Sequence, residues 1–178
     1  SLVHRIDTET SGLILVAKNA FADMFLKNMF EEKKYVKKYK ALVDGKIEEN
    51  LKIDKPITND TGIIKLKMKT DTKGKESTTL INPIFYDENK NQTLVEAIPL
   101  TGRQHQIRVH LDSIGHKIIG DTLYGVDENF ADDFLRDKIS EEKREEVTKA
   151  SRLMLQADYL EFEFLEIIYK FSSLQKLL

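Results

Sequence analysis

The first eighteen residues constrain the chain more than any other stretch. Leu2-Val3 and Leu13 to Ala17 are short apolar runs of strand length, rich in Leu, Ile and Val. Between them, His4-Arg5-Ile6-Asp7-Thr8-Glu9-Thr10-Ser11-Gly12 is a polar turn built from residue types that satisfy turn backbones or adopt positive φ. Read plainly, this is a strand, a turn and a buried strand. The turn also holds a cation and a carboxylate, Arg5 and Asp7, two residues apart, where a strand points both to one face. A buried strand beside them would hold both groups rigidly.

The rest of the chain alternates strand and helix signals. Asn19 can cap a helix from Ala20 to about Lys33, with Phe21, Met24, Phe25 and Met29 as its apolar face. Lys34 to Gly45 reads as a strand ending in an Asp-Gly turn, with Tyr39, Ala41 and Val43 on one side and Lys38, Lys40 and Leu42 on the other. Ile63 to Met68 alternates apolar and basic residues, predicting a half-exposed strand with lysines outward, and Thr72 to Lys75 reads as a loop. Thr78 to Tyr86 and Thr93 to Leu100 are strands separated by a polar turn. Thr101 is an N-cap candidate for a helix whose Ile107, Leu111 and Ile114 share a face and which Gly115 can close. The start of that helix, beside Arg103, would suit a phosphate. Asp127 to Lys149 reads as an exposed acidic helix or an insertion, and Leu153 to Phe162 as a strand. Many strands with two or three helices predict an α+β domain on a mixed, mostly antiparallel sheet.

Charge and composition narrow the function. The formal net charge of the 178 residues is −2, but it is unevenly spread. Lys33 to Lys75 holds 13 lysines against 6 carboxylates, a segment that attracts a phosphate backbone without reading sequence. The absence of cysteine removes disulfides, thiolate nucleophiles and cysteine-based metal sites, and is compatible with a reducing cytoplasm. His105 and His110 are five residues apart, not the four that would put both on one helix face, so no metal is expected. No apolar run approaches the roughly 18 residues of a membrane span.

Three motifs carry a family resemblance. HRIDTETSGLILVAK closely resembles the catalytic-aspartate motif of the RluA-type RNA pseudouridine synthases, which isomerise uridine in ribosomal or transfer RNA. The Lys37-x-Tyr39-x-Ala41-Leu42-Val43 pattern is similar to their second motif, and TGRQHQIRVHL, from Thr101 to Leu111, to their third. Gly120-Asp121-Thr122-Leu123-Tyr124-Gly125 resembles a family turn that brackets the site and reads here as structural. The closing strand departs from the pattern, with Gln156 where a histidine is usual.

The resemblance implies a pseudouridine-synthase fold over residues 1–178, as a single catalytic domain. It makes Asp7 the catalytic carboxylate, Tyr39 the residue that stacks on the target base, and Arg108 the partner of Asp7. Arg103 and His105 become RNA contacts, and Arg5 fills the place vacated when the uridine flips out. It implies an RNA partner, ribosomal first and transfer second, a monomer in the cytoplasm, no membrane and no cofactor. Family members carry earlier strands and often a small S4-like RNA-binding domain, so a truncated N-terminus is expected. A non-catalytic RNA-binding fragment is the alternative.

Overall fold

A computed structural model describes residues 1–177. In chain order its elements are β1 (Ser11–Gly12), α1 (Ala20–Glu31), β2 (Tyr35–Asp44), β3 (Leu51–Asp54), β4 (Ile57–Asn59), β5 (Met68–Thr70), β6 (Thr78–Asp87), β7 (Gln92–Pro99), α2 (Gln106–Asp112), α3 (Glu128–Leu135), α4 (Glu141–Thr148), β8 (Leu155–Phe164) and β9 (Ile167–Ser172). Seven strands form one sheet in the order β1-β8-β2-β7-β6-β3, with β9 pairing β8 farther along, and β4 and β5 form a separate hairpin. Every pairing is antiparallel except β1 with β8. The sheet is the mixed, mostly antiparallel one expected. Among the described residues four helices form rather than two or three, because the acidic stretch makes both α3 and α4.

Site placement begins with the pairing of β2 and β8. Tyr35 lies opposite Phe162, Lys37 opposite Leu160, Tyr39 opposite Ala157 and Ala41 opposite Leu155. Between Lys38 and Tyr39 the register shifts as β8 accommodates an extra residue, Asp158. This bulge keeps Leu155, Ala157, Leu160 and Phe162 on one face despite the odd spacing between Ala157 and Leu160. Two hydrophobic clusters form on that face. One joins Tyr39, Ala41, Val43, Ala97 and Leu155 to Ile107 and Leu111 of α2. The other joins Leu160 and Phe162 to Leu26 and Met29 of α1.

The short helix α2 is buried from Gln106 to Leu111. Ile107 and Leu111 face the sheet, while Val109 enters a third cluster with Ile57, Ile64, Leu123 and Tyr124. A helix enclosed on all sides must find partners for its polar side chains, and this one does. Gln106 Nε2 donates to the Thr78 carbonyl at 2.9 Å and to Thr79 Oγ1 at 3.0 Å. His110 bridges Thr79 Oγ1 at 2.8 Å and the Lys55 carbonyl at 2.9 Å.

Four local expectations are corrected. Leu13 to Ala17 is not a buried strand: the ladder with β8 ends at Gly12, and Ile14 and Val16 are about half exposed (46% and 54%). Only Leu13, Leu15 and Ala17 turn inward, onto the second cluster. In α1, Asn19 Oδ1 accepts the Ala22 N–H at 2.8 Å as expected, but the buried stripe is Leu26 and Met29. Phe21 and Met24 face solvent, because two apolar stripes overlap in that sequence and β8 engages the other. Ile63 to Lys67 forms a tight turn, not a strand. The Asp60 N–H donates to the Lys67 carbonyl and the Lys67 N–H to the Ile64 carbonyl, so that Ile64 alone is anchored in the third cluster. Finally, Thr101 does not cap α2, which starts at Gln106. The Thr101 hydroxyl donates instead to Gln106 Oε1 at 2.7 Å, and the same oxygen accepts the Arg103 N–H at 3.0 Å.

Candidate active site

A cleft of about 120 Å³ opens where the β2 face, α2 and the first turn converge. Arg5, Asp7, Tyr39, Arg103, His105 and Arg108 all line it. Three motifs separated by up to a hundred residues are therefore brought to one place. The turn that carries Asp7 is closed by the Thr10 N–H donating to the Asp7 carbonyl at 2.9 Å. Gly12 presses that turn against β8: its φ is +104°, and a Cβ there would lie 2.2 Å from the Ala157 carbonyl oxygen.

The side chain of Arg108, 3% exposed, is held by a carboxylate that the sequence reading treated as structural. Its Nε and Nη2 each lie 2.8 Å from an Asp121 oxygen, a bidentate pair, whereas Nη1 is 3.8 Å from Asp7 Oδ2. Asp121 Oδ1 also accepts the Leu123 and Tyr124 N–H groups at 2.9 and 3.0 Å. Burial alone would lower the Arg108 pKa, but the hydrogen bonds and charge of Asp121, and then the charge of Asp7, raise it instead. Asp121 thus fixes the guanidinium and leaves one edge for Asp7, which stays half-exposed at 27%.

Tyr39 is 8% exposed and forms part of the cleft wall. Burial first, and then the Asp7 charge, push its hydroxyl up to about 12, so it keeps its proton at neutral pH. It offers a ring face and a donor, not a base. His105 has φ +53° at the N-cap of α2, and its Nδ1 is 2.9 Å from the Tyr124 hydroxyl. That hydroxyl also accepts the Met68 N–H at 2.9 Å, and it fixes the ring of a neutral His105 in either tautomer. Burial and the Arg108 charge lower the His105 pKa, in agreement.

Part of the basic stretch is neutralised by nearby carboxylates. Lys38, Lys40, Lys46 and Lys52 are paired with carboxylates within 4 Å. Among the described residues, Lys65, Lys67, Lys69, Lys73 and Lys75 have no such partner. These five lie on the β4–β5 hairpin and the loop after it. Two contacts tie this region to the cleft rim: Gln104 Nε2 donates to the Leu66 carbonyl, and Arg103 Nε to the Glu76 carbonyl, both at 3.2 Å. The unneutralised charge therefore stands beside the cleft. No cluster of three or more His, Cys, Asp or Glu suited to a metal occurs among the described residues.

Comparisons with known proteins identify a family. The family model described as RNA pseudouridylate synthase matches residues 1–113, the span that contains Asp7, Tyr39 and Arg108. The chain belongs to that family. An uncharacterized RNA pseudouridine synthase of Helicobacter pylori is 44% identical over 173 residues, covering 96% of this chain and 56% of the relative. The dual-specificity RNA pseudouridine synthase RluA of Vibrio parahaemolyticus is 39% identical over 131 residues, covering 71% of this chain and 52% of the relative. The solved structure of human RNA Pseudouridylate Synthase Domain Containing 1 superposes with a TM-score of 0.77 at 26% identity, covering 98% of this chain and 68% of that one. The chain spans about half the length of the curated relatives it matches. Among the described residues, no helix of this RNA pseudouridylate synthase domain is long and apolar enough to cross a membrane.

The histidines give the domain a measurable pH signature. His4, His105 and His110 all have lowered pKa values, with burial the largest cause in each. Their folded values lie below the unfolded value of about 6.5, so the unfolded chain binds more protons in the window beneath it. Stability is complete above that value and is lost as the pH falls through the folded values. The urea midpoint should therefore drop between pH 7 and pH 5.5. His110→Gln, which retains an acceptor for Thr79 and a donor for Lys55, should flatten that drop. A midpoint constant across the window would contradict the assignment of neutral buried rings.

Proposed function

We propose that this chain carries the catalytic domain of an RNA pseudouridine synthase that works on a flipped uridine, with Asp7 as its reacting carboxylate. The observation that supports this most is the convergence of Asp7, Tyr39 and Arg108 in one cleft rimmed by unpaired cations. A uridine in stacked RNA hides its C1′, so the nucleotide must leave the stack, at a cost of a few kcal/mol. Stacking on Tyr39 returns roughly 1–3 kcal/mol of that, and Arg5 takes the vacated place. Asp7 then supports departure of uracil from C1′, as nucleophile or as counter-charge. The base turns and rejoins through C5. N1 gains a proton and the C5 hydrogen is released to water.

Arg108 faces Asp7 as a fixed counter-charge. Arg103, His105 and the hairpin lysines hold the backbone of the RNA. The substrate we favour is ribosomal RNA, because relatives such as the ribosomal large subunit pseudouridine synthase C of Buchnera aphidicola are 40% identical over 164 residues. Transfer RNA is the second substrate to test. The protein then works as a cytoplasmic monomer, to which its lack of cysteine is suited. The reaction needs no cofactor.

The test is tritium release from unmodified RNA labelled at uridine C5. Release with time, and pseudouridine at the same position, is the expected result. RNA binding without any release would favour a binding module that does not turn over.

A further inference from the structure

Asp7 and Asp121 sit on turns more than a hundred residues apart in the chain, and Arg108 can face Asp7 only if both turns hold still. The turns are joined directly through Glu9 and, across the acidic segment, through Arg144. Arg144, on α4, donates through Nη2 to Glu9 Oε1 at 2.6 Å and to the Gly120 carbonyl at 3.2 Å. Glu9 Oε2 accepts the Thr122 hydroxyl at 2.9 Å. Glu9 is two residues beyond Asp7, and Gly120 and Thr122 flank Asp121 on either side. Gly120 is gripped a second time, its N–H donating to the Thr148 carbonyl at the end of α4 at 2.8 Å.

This ion pair is not an ordinary surface contact. The side chains of Arg144 and Glu9 are only 14% and 22% exposed, and the guanidinium carbon lies 5.1 Å from the Phe134 ring centroid, under α3. Its shielding and its two-turn reach set it apart from the exposed pairs on the same helices, which contribute little. Neither Glu9 nor Arg144 lines the cleft.

We propose that Glu9 and Arg144 are positioning residues, a brace through which α4 fixes the Asp7 turn against the Asp121 turn. The inference rests on the reading of the site as that of a synthase. Loss of the brace leaves RNA binding intact and lets Asp7 drift, and a displacement of about 1 Å is the scale that costs about 10²-fold in rate.

The experiment compares Glu9→Gln, Arg144→Gln, Arg144→Lys and the Glu9→Gln/Arg144→Gln double variant by tritium release and by hydrogen exchange at the Thr10 N–H. Each Gln variant should lose about tenfold or more in kcat, with KM for RNA changed less than about twofold. The double variant should lose less than the product of the two single losses, because both residues share one ion pair. Arg144→Lys, which keeps a cation for Glu9, should recover part of the rate. Thr10 exchange should accelerate in the Gln variants, without RNA present. Unchanged kcat, losses that multiply in the double variant, or losses confined to KM would each overturn the brace. If the parent chain releases no tritium, the synthase reading fails by itself. The exchange arm then decides alone whether Glu9 and Arg144 hold the turn, and unaltered Thr10 exchange would overturn it.

Discussion

Asp7→Asn should lower tritium release by about 10⁴-fold or more while leaving the fold and RNA affinity near those of the parent. The substitution removes one charge and almost no volume. Asp7 is 27% exposed and stands 3.8 Å from Arg108, whose two short contacts go to Asp121, so no buried cation is orphaned. The cations expected on the phosphate backbone belong to Arg103 and the hairpin, and Asp7 pairs with Arg108 rather than with these. Removing a negative charge from a cleft that receives RNA should, if anything, tighten binding slightly at low salt. Release kinetics, filter binding and a thermal melt on the same preparation separate these effects. A variant that keeps a tenth of the parental release would show that Asp7 is not the reacting carboxylate.

The second large effect is on stability. Asp121→Ala should cost about 3–5 kcal/mol in unfolding free energy, the scale observed when one partner of a buried ion pair is removed. Arg108 would be left charged at 3% exposure, and the Leu123 and Tyr124 N–H groups would lose their acceptor. Asp121→Asn is the informative control. Its carbonyl oxygen can still accept both backbone N–H groups, so it should lose less than the alanine variant, and the difference isolates the turn from the ion pair. Urea midpoints measure both. An alanine variant within about 1 kcal/mol of the parent would mean that Arg108 finds Asp7 or water in its place.

Comparison of these two carboxylates shows where sequence reasoning reached its limit. The motifs at Asp7, Tyr39 and Arg108 were legible through their resemblance to one family; from the residues alone they read as a turn, a half-buried strand and an amphipathic helix. The strands β2, β6 and β7 were legible from their apolar runs and the turns that bound them. The partner of Arg108 was not. Asp121 lies 13 residues beyond it, past the end of α2 and two turns, and only the folded path decides which of two carboxylates receives the bidentate face. The Asp-x-x-Tyr spacing was visible, yet nothing in it said that Tyr124 would orient His105. Glu9 and Arg144 are 135 residues apart, and a charged residue on an acidic helix gives no sign of its distant contact. The turn at Ile63 to Lys67 misled because alternation over five residues describes a strand and an anchored loop equally well.

The extra residue in β8 gives this fold an arithmetic of its own. Because Asp158 has no opposite number in β2, the odd-numbered side chains before it and the even-numbered ones after it share a face. Removing Asp158 would restore a regular ladder and leave every other pair in place, so Leu160 and Phe162 would stay over α1. A loss farther along the strand has no such surplus to draw on: without Glu161, Phe162 would follow Leu160 directly and turn to the opposite face. A gene encoding this domain can therefore lose one codon at the bulge, in frame, without exchanging the inside of the protein for its outside.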